Sequence, residues 1–336
     1  MLGINSPKIT YGFATGRVRA LEPRMVSRAR IDRLIEAQNL EEIHRVLAET
    51  DYGPELRAAD TIDEVETALE SRLGEVYQLL RESNLPSDMA RYFQSRHDFT
   101  NLRVLIKGAF GQQAGVAVSS LGEVPGEIAE ALVTDRTFGG LPSYLEDAAL
   151  EAVSLYDETR RLAVIDMALD RRYFNNLLTL ALKLKSKWIV AYTRLLIDLA
   201  NGRTVVRGRQ EAAKIESVID HLLEGGNVAG TGWFDIYSKP ELIADRVGAI
   251  PSGQMRQEVI DGLSIDAPVS EYDLMADGIM IDYLLSSHRF MAGPEPVFAY
   301  AAAREHEVKL LRMIIFAHLS GLPPARIKAR IGRIYE

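Results

Sequence analysis

Apolar positions in this 336-residue chain run on for long stretches without a breaker instead of alternating with polar ones. From Ser143 to Asn201 there is neither Gly nor Pro, and between Glu55 and Lys107 only Gly74 and Pro86 intervene. Spans of that length exceed what strands use and predict helices joined by tight bends. Start signals agree. Thr61 with Glu64, Ser143 with Glu146, and Ser238 with Glu241 each have the spacing of a capping box, in which hydroxyl and carboxylate satisfy free backbone N–H groups. Runs of period 2 rich in Val, Ile and Thr are confined to Val116–Ser119 and Thr204–Val206, both short. The pattern predicts an all-α protein.

An internal repeat refines this. Asp98-Phe-Thr-Asn101-Leu-Arg103-Val-Leu-Ile-Lys107-Gly108 returns 100 residues later as Asp198-Leu-Ala-Asn201-Gly-Arg203-Thr-Val-Val-Arg207-Gly208. A weaker third copy, Glu307-Val-Lys-Leu-Leu-Arg312, keeps the acid and the arginine but lacks the asparagine and the second base. Ahead of each copy comes a loop-rich helical region and then a long helical stretch, so the chain reads as one helical unit repeated three times, over residues 1–115, 116–215 and 216–336. On a helix, Asp98 and Asn101 share one face while Arg103 and Lys107 form a stripe on roughly the opposite one. Phe99, Leu102, Val104, Leu105 and Ile106 fill the remaining directions. Such a helix is buried, and its carboxylate and amide need hydrogen-bond partners. Asp98, Asn101, Asp198 and Asn201 are therefore expected to join neighbouring elements or cap their ends, whereas Arg103, Lys107, Arg203 and Arg207 are expected to face an interface.

Composition removes several kinds of chemistry. With no cysteine, a disulfide framework, a zinc–thiolate site and a cysteine nucleophile are excluded. His44, His97, His221, His288, His306 and His318 form no His-Glu-x-x-His pair, and adjacent positions such as Glu305-His306-Glu307 point in different directions on a helix. No Asp-Asp-x-x-Asp motif and no Gly-x-Ser-x-Gly elbow occur. Gly225-Gly-Asn-Val-Ala-Gly230-Thr231-Gly232 lacks the lysine of a phosphate-binding loop and reads as a turn between helices. The expectation is no catalytic residue, no cofactor and no metal.

Charge is segregated. The net charge of −8 is matched by residues 41–70 alone, where ten carboxylates face Arg45 and Arg57, while residues 1–33 carry +5. Arg326, Lys328, Arg330 and Arg333 make the other end basic. The acidic total argues against a nucleic-acid partner. The N-terminus lacks the apolar core of a signal peptide, and no stretch is apolar enough to span a bilayer, which predicts a cytosolic chain.

Tyr11-Gly-Phe-Ala-Thr-Gly-Arg-Val-Arg-Ala-Leu-Glu22, Asp98-Phe-Thr-Asn-Leu-Arg103 with its echo at Asp198–Arg207, and Pro296-Val-Phe-Ala-Tyr300 followed by Arg304-Glu305, Glu307, Leu311-Arg312 and Gly321-Leu-Pro together resemble the central-stalk C subunits of archaeal and bacterial V/A-type ATPases, a family that includes the eukaryotic d subunits. The resemblance spans essentially the whole chain. It implies three similar helical units in a pseudo-threefold funnel and no chemistry of the chain's own. It also implies a peripheral place on the cytoplasmic face of the membrane as a socket. There the protein would join the central-shaft subunits of the soluble ATPase head to the membrane rotor ring of proteolipid subunits and carry torque for proton or sodium transport, with no small-molecule substrate. The cationic ends, Arg326, Lys328, Arg330 and Arg333 above all, are then candidate contacts with the ring or the membrane surface. The acidic stretch is expected to face solvent or the shaft. A helical-repeat scaffold unrelated to a motor, and a helical enzyme with an unrecognised site, are the other readings.

Overall fold

The structure, a computed structural model, describes residues 7–57, 59–83, 85–111, 118–250, 253–264 and 268–336. Among these there is no strand. Thr204–Val206 lies inside a helix, while part of Val116–Ser119 falls outside the described residues. The α-helices begin with α1 (Pro7–Leu21), α2 (Arg28–Glu36), α3 (Leu40–Leu47), α4 (Gly53–Leu56), α5 (Ile62–Glu82) and α6 (Ser87–Ala109). They continue with α7 (Gly126–Thr134), α8 (Ser143–Thr159), α9 (Ala163–Lys183), α10 (Lys187–Gln210), α11 (Ile215–Asp220) and α12 (Gly230–Ser238). The remainder are α13 (Ile243–Arg246), α14 (Gly253–Ser264), α15 (Val269–Leu285), α16 (Pro294–Leu319) and α17 (Pro324–Lys328).

Two compact units result. One is made from both ends of the chain, Met1–Ser87 with Asp273–Glu336. Its centre is α16, on which α1 and α5 both pack. Val297, Phe298, Ala299, Tyr300 and Ala301 are successive buried residues there, as in a helix enclosed on all sides. The two ends are tied together: α17 packs on α2, Arg28 Nη1 donates to the carbonyl of Gly332 at 3.1 Å, and the Tyr335 hydroxyl donates to Glu22 at 2.9 Å.

The other unit is Asp88–Tyr272. Here α8 and α9 form an antiparallel pair whose approach is set by Ala148, Ala149, Ala152 and Ala168, all fully buried and too small to hold the backbones apart. Phe99, Leu102 and Ile106 of α6 close the same core. The breaker-free stretch 143–201 is thus three helices, and its bends are made without glycine. Arg160 (φ 56°) ends α8 and Lys185 (φ 55°) sits between α9 and α10, both left-handed. That conformation costs a non-glycine residue about 1–2 kcal/mol, offset by the packing of the helices it joins.

Of the three capping boxes expected, one forms: Thr61 accepts from Glu64 N while the Glu64 side chain returns to Thr61 N. Ser143 does not cap, because α8 starts a residue earlier, with the Pro142 carbonyl accepting from Leu145 and Glu146. Ser238 is the last residue of α12, so its hydroxyl stands at the wrong end of a helix.

Candidate functional site

The repeated acids do the same thing three times. Asp98, midway along α6, accepts the backbone N–H groups of Glu123 (3.1 Å) and Val124 (3.0 Å) and the Tyr144 hydroxyl (3.0 Å). Asp198, on α10, accepts the N–H groups of Asn227 (2.9 Å) and Val228 (3.1 Å) and the Asn227 side-chain amide (2.8 Å). Glu307, on α16, accepts the N–H of Val26 and the Tyr52 hydroxyl (2.6 Å). In every case the fastened valine stands two residues ahead of a nine-residue helix: α7, α12 and α2. A buried carboxylate on a long helix therefore fixes where a short helix begins, the following one for Asp98 and Asp198 and the N-terminal α2 for Glu307.

The asparagines complete the first two latches. Asn101 makes a paired bond with the backbone of Ser119 (2.8 and 2.9 Å), and Asn201 makes the same pair with Leu223 (2.7 and 2.9 Å). In the third copy the corresponding residue is Leu310, whose side chain can make no such pair. Glycine lets the loops approach: a Cβ on Gly122 would lie 2.3 Å from Asp98 Oδ1, and one on Gly226 would lie 2.2 Å from Asp198 Oδ1. The glycine-rich segment 225–232 is thus a loop shaped to deliver two N–H groups to Asp198. Gly202, which replaces Leu102, is explained too. A Cβ there would meet the Tyr272 hydroxyl at 1.9 Å, and that hydroxyl donates to the Leu199 carbonyl at 3.2 Å.

Charge compensation differs among the copies. Glu307 has a fixed counter-charge, since Arg304 donates to it at 2.6 Å while also reaching Asp51 (2.8 Å) and the Tyr300 hydroxyl (3.0 Å). Burial and the neighbouring Glu307 push the Tyr52 hydroxyl well above its usual range. Burial raises Asp198 as well, opposed by the Val228 and Asn227 donors. Asp98 is pushed up to about 6, mainly by burial, against the bonds from Val124, Glu123 and Tyr144.

The repeat cations lie as follows. Arg103 binds Asp166 (3.3 Å) and Asp170 of α9, and Lys107 binds Asp166 (2.6 Å). Arg207 pairs with Glu211 just past the end of its helix, Arg203 is exposed, and Arg312 makes two bonds to Glu66 (2.6 and 2.7 Å). At the C-terminal end Arg326, Lys328 and Arg330 are exposed, and Arg333 pairs with Asp282. The acidic stretch is less free than expected. Glu49, Asp51, Glu55 and Glu66 are bound by Arg33, Arg304, Arg72 and Arg312, because the fold brings opposite them cations that flank the stretch and cations from the far end of the chain. Arg304 lines a cavity of about 340 Å³ whose walls also include Arg17, Arg24, Glu75 and Glu82.

Sequence reasoning missed the receiving half of each latch, together with Tyr144, Tyr52 and Arg304. One signal was present: Gly122-Glu-Val-Pro-Gly126 and Gly226-Asn-Val-Ala-Gly230 match 104 residues apart. Among the described residues no group of His, Asp and Glu is arranged to hold a metal, and no helix is long and apolar enough to cross a membrane.

What these features define is an all-helical repeat protein whose recurrent polar residues bind its own backbone. The chain belongs to the ATP synthase (C/AC39) subunit family, whose profile matches residues 14–330. It is 23% identical to the A-type ATP synthase C subunit of Methanocaldococcus jannaschii over 95% of this chain and 85% of that protein. It is 25% identical to the corresponding protein of Desulfurococcus sp. over 96% and 91%. The V-type sodium ATPase C subunit of Enterococcus hirae is 23% identical over 95% and 97%. The family is one of structural subunits, not catalytic ones.

Proposed function

We propose that the chain is the central-stalk component of a V/A-type rotary ATPase. It is a rotor socket on the cytoplasmic face of the membrane that joins the central-shaft subunits of the soluble head to the proteolipid rotor ring and carries torque between ATP turnover and proton or sodium movement. The observation that carries this reading is the thrice-repeated latch in a chain of this family. Each latch locks a long helix to the start of a short one through buried hydrogen bonds, which gives resistance to twisting that loops alone would lack. Three copies also support a pseudo-threefold funnel of units near 1–115, 116–215 and 216–336, the third drawing its short helix from the N-terminus. In the assembled motor Arg326, Lys328 and Arg330 face the ring or the headgroups around it. The reading is tested by removing this protein from the assembled complex: ATP hydrolysis by the head persists and coupled ion transport is lost. Coupled transport that survives the removal overturns it.

A further inference from the structure

The three latches share a geometry and differ in what surrounds the acid. At Glu307 a guanidinium is bonded directly to the carboxylate. At Asp198 the third donor is the Asn227 side-chain amide, a group that neither gains nor loses a proton near neutral pH. At Asp98 the third donor is the Tyr144 hydroxyl, and the same hydroxyl stands 3.5 Å from the carboxylate of Glu123. Two carboxylates therefore share one hydroxyl, and the inner one is 3% exposed. Glu123 is in turn held by Arg91 (2.8 and 3.0 Å), whose side chain reaches solvent. Asp98, Tyr144, Glu123 and Arg91 form a chain of polar contacts from the core of the unit to its surface.

We propose that the first latch is a proton-binding site: Asp98 takes up a proton along the Tyr144–Glu123 path, so that α6 carries its loop in two protonation states. The groups facing Asp98 are Glu123 on the loop and Tyr144 on α8, with Arg91 on α6 acting through Glu123. His97 on α6 is turned to Ser119 Oγ at 3.0 Å. When Asp98 is ionised, both of its oxygens accept. When it is protonated, Oδ2–H donates to Tyr144, the Tyr144 hydroxyl turns to Glu123, and the Glu123 N–H loses strength in its acceptor while the Val124 N–H keeps Oδ1. The one covalent bond formed is the O–H on Asp98 Oδ2, its proton taken from solvent at the Glu123 end of the path and passed on by the Tyr144 hydroxyl, which gives up one proton and gains another. Burial of the inner carboxyl and its carboxylate neighbour favour uptake, while the N–H donors oppose it. The balance places the exchange at about pH 6.

The test is an infrared titration of the full chain between about pH 5 and about pH 7, following the carbonyl band of a protonated buried carboxylic acid. The band grows as pH falls, and Asp98→Asn abolishes it while Asp198→Asn does not. Because Asp98→Asn replaces one of the two acceptor oxygens with an NH2 donor and can unfold the unit, two milder variants are also used. Glu123→Gln removes the neighbouring charge and shifts the midpoint down; Tyr144→Phe removes a donor to the ionised form and shifts it up. Absence of the band, or a midpoint that neither variant moves, overturns the proposal.

Discussion

Asp98 accepts the N–H of Val124 at 3.0 Å, and Asp198 accepts that of Val228 at 3.1 Å, so a pair 26 residues apart in one copy is rebuilt by a pair 30 residues apart in the next. The extra length is absorbed in the loop, not in the bond. That constancy means the latch, not the connecting chain, decides where each short helix starts.

The loop glycines are the first place to look for its energetic weight. Gly122→Ala and Gly226→Ala each place a methyl group against a carboxylate already fixed by three bonds, so each is expected to destabilise by about 1–3 kcal/mol in urea denaturation. Gly12→Ala, where a Cβ meets nothing, is the control and is expected to stabilise α1 by about 0.5–1 kcal/mol.

At Gly202 the conflict is with one side chain. Gly202→Ala drives a methyl into Tyr272 and is expected to cost about 1–3 kcal/mol. Adding Tyr272→Phe removes the nearest atom but leaves the ring carbon at 2.8 Å, so the double variant recovers part of the loss. Strict additivity in the double-mutant cycle would show that the two positions do not interact.

Arg304 and Glu307 are both nearly enclosed, with side chains 7% and 5% exposed. Arg304→Met leaves Glu307 buried without its counter-charge and is expected to cost about 3–5 kcal/mol. Glu307→Gln leaves Arg304 its second partner, Asp51, and is expected to cost less, and the double variant less than the sum. Equilibrium denaturation of the four proteins reads this directly.

His306 provides a pH signature. Burial holds its imidazole below the ordinary 6.5, against the pull of Asp277. The unfolded chain then takes a proton at a higher pH than the folded one, so this contribution to stability is complete above the ordinary value and is lost as pH falls through it. Between about pH 7 and about pH 5 the wild-type chain is expected to lose stability that His306→Gln does not lose, measured as denaturation midpoints across that window.

At the C-terminal end, reversing Arg326, Lys328 and Arg330 to Glu is expected to weaken binding to isolated rotor rings at low salt, with the difference shrinking as ionic strength rises. Folding is expected to be unaffected, since none of the three makes an ion pair among the described residues. Undiminished binding at low salt would remove these residues from the contact.

Helical content, the places where the long helices α5, α6 and α8 to α10 run, and the recurrence of Asp98 at Asp198 and Glu307 were legible in the sequence by itself. The reason is physical: helix periodicity, breakers and Thr61-type caps act over a few neighbouring residues, so local sequence is enough to specify them. The sequence also marked Asp98 and Asp198 as acids that would need partners once buried. Which groups answer them was decided by the tertiary structure. The N–H of Val26 reaches Glu307 across 281 residues, Arg304 finds Asp51 across 253, and the acidic stretch meets cations from α2, α5 and α16. No local window of sequence contains the pairs to Glu307, Asp51 and Glu66. They exist because packing brings the two ends of the chain into one unit, and a buried charge there is stable only with the partner that packing supplies.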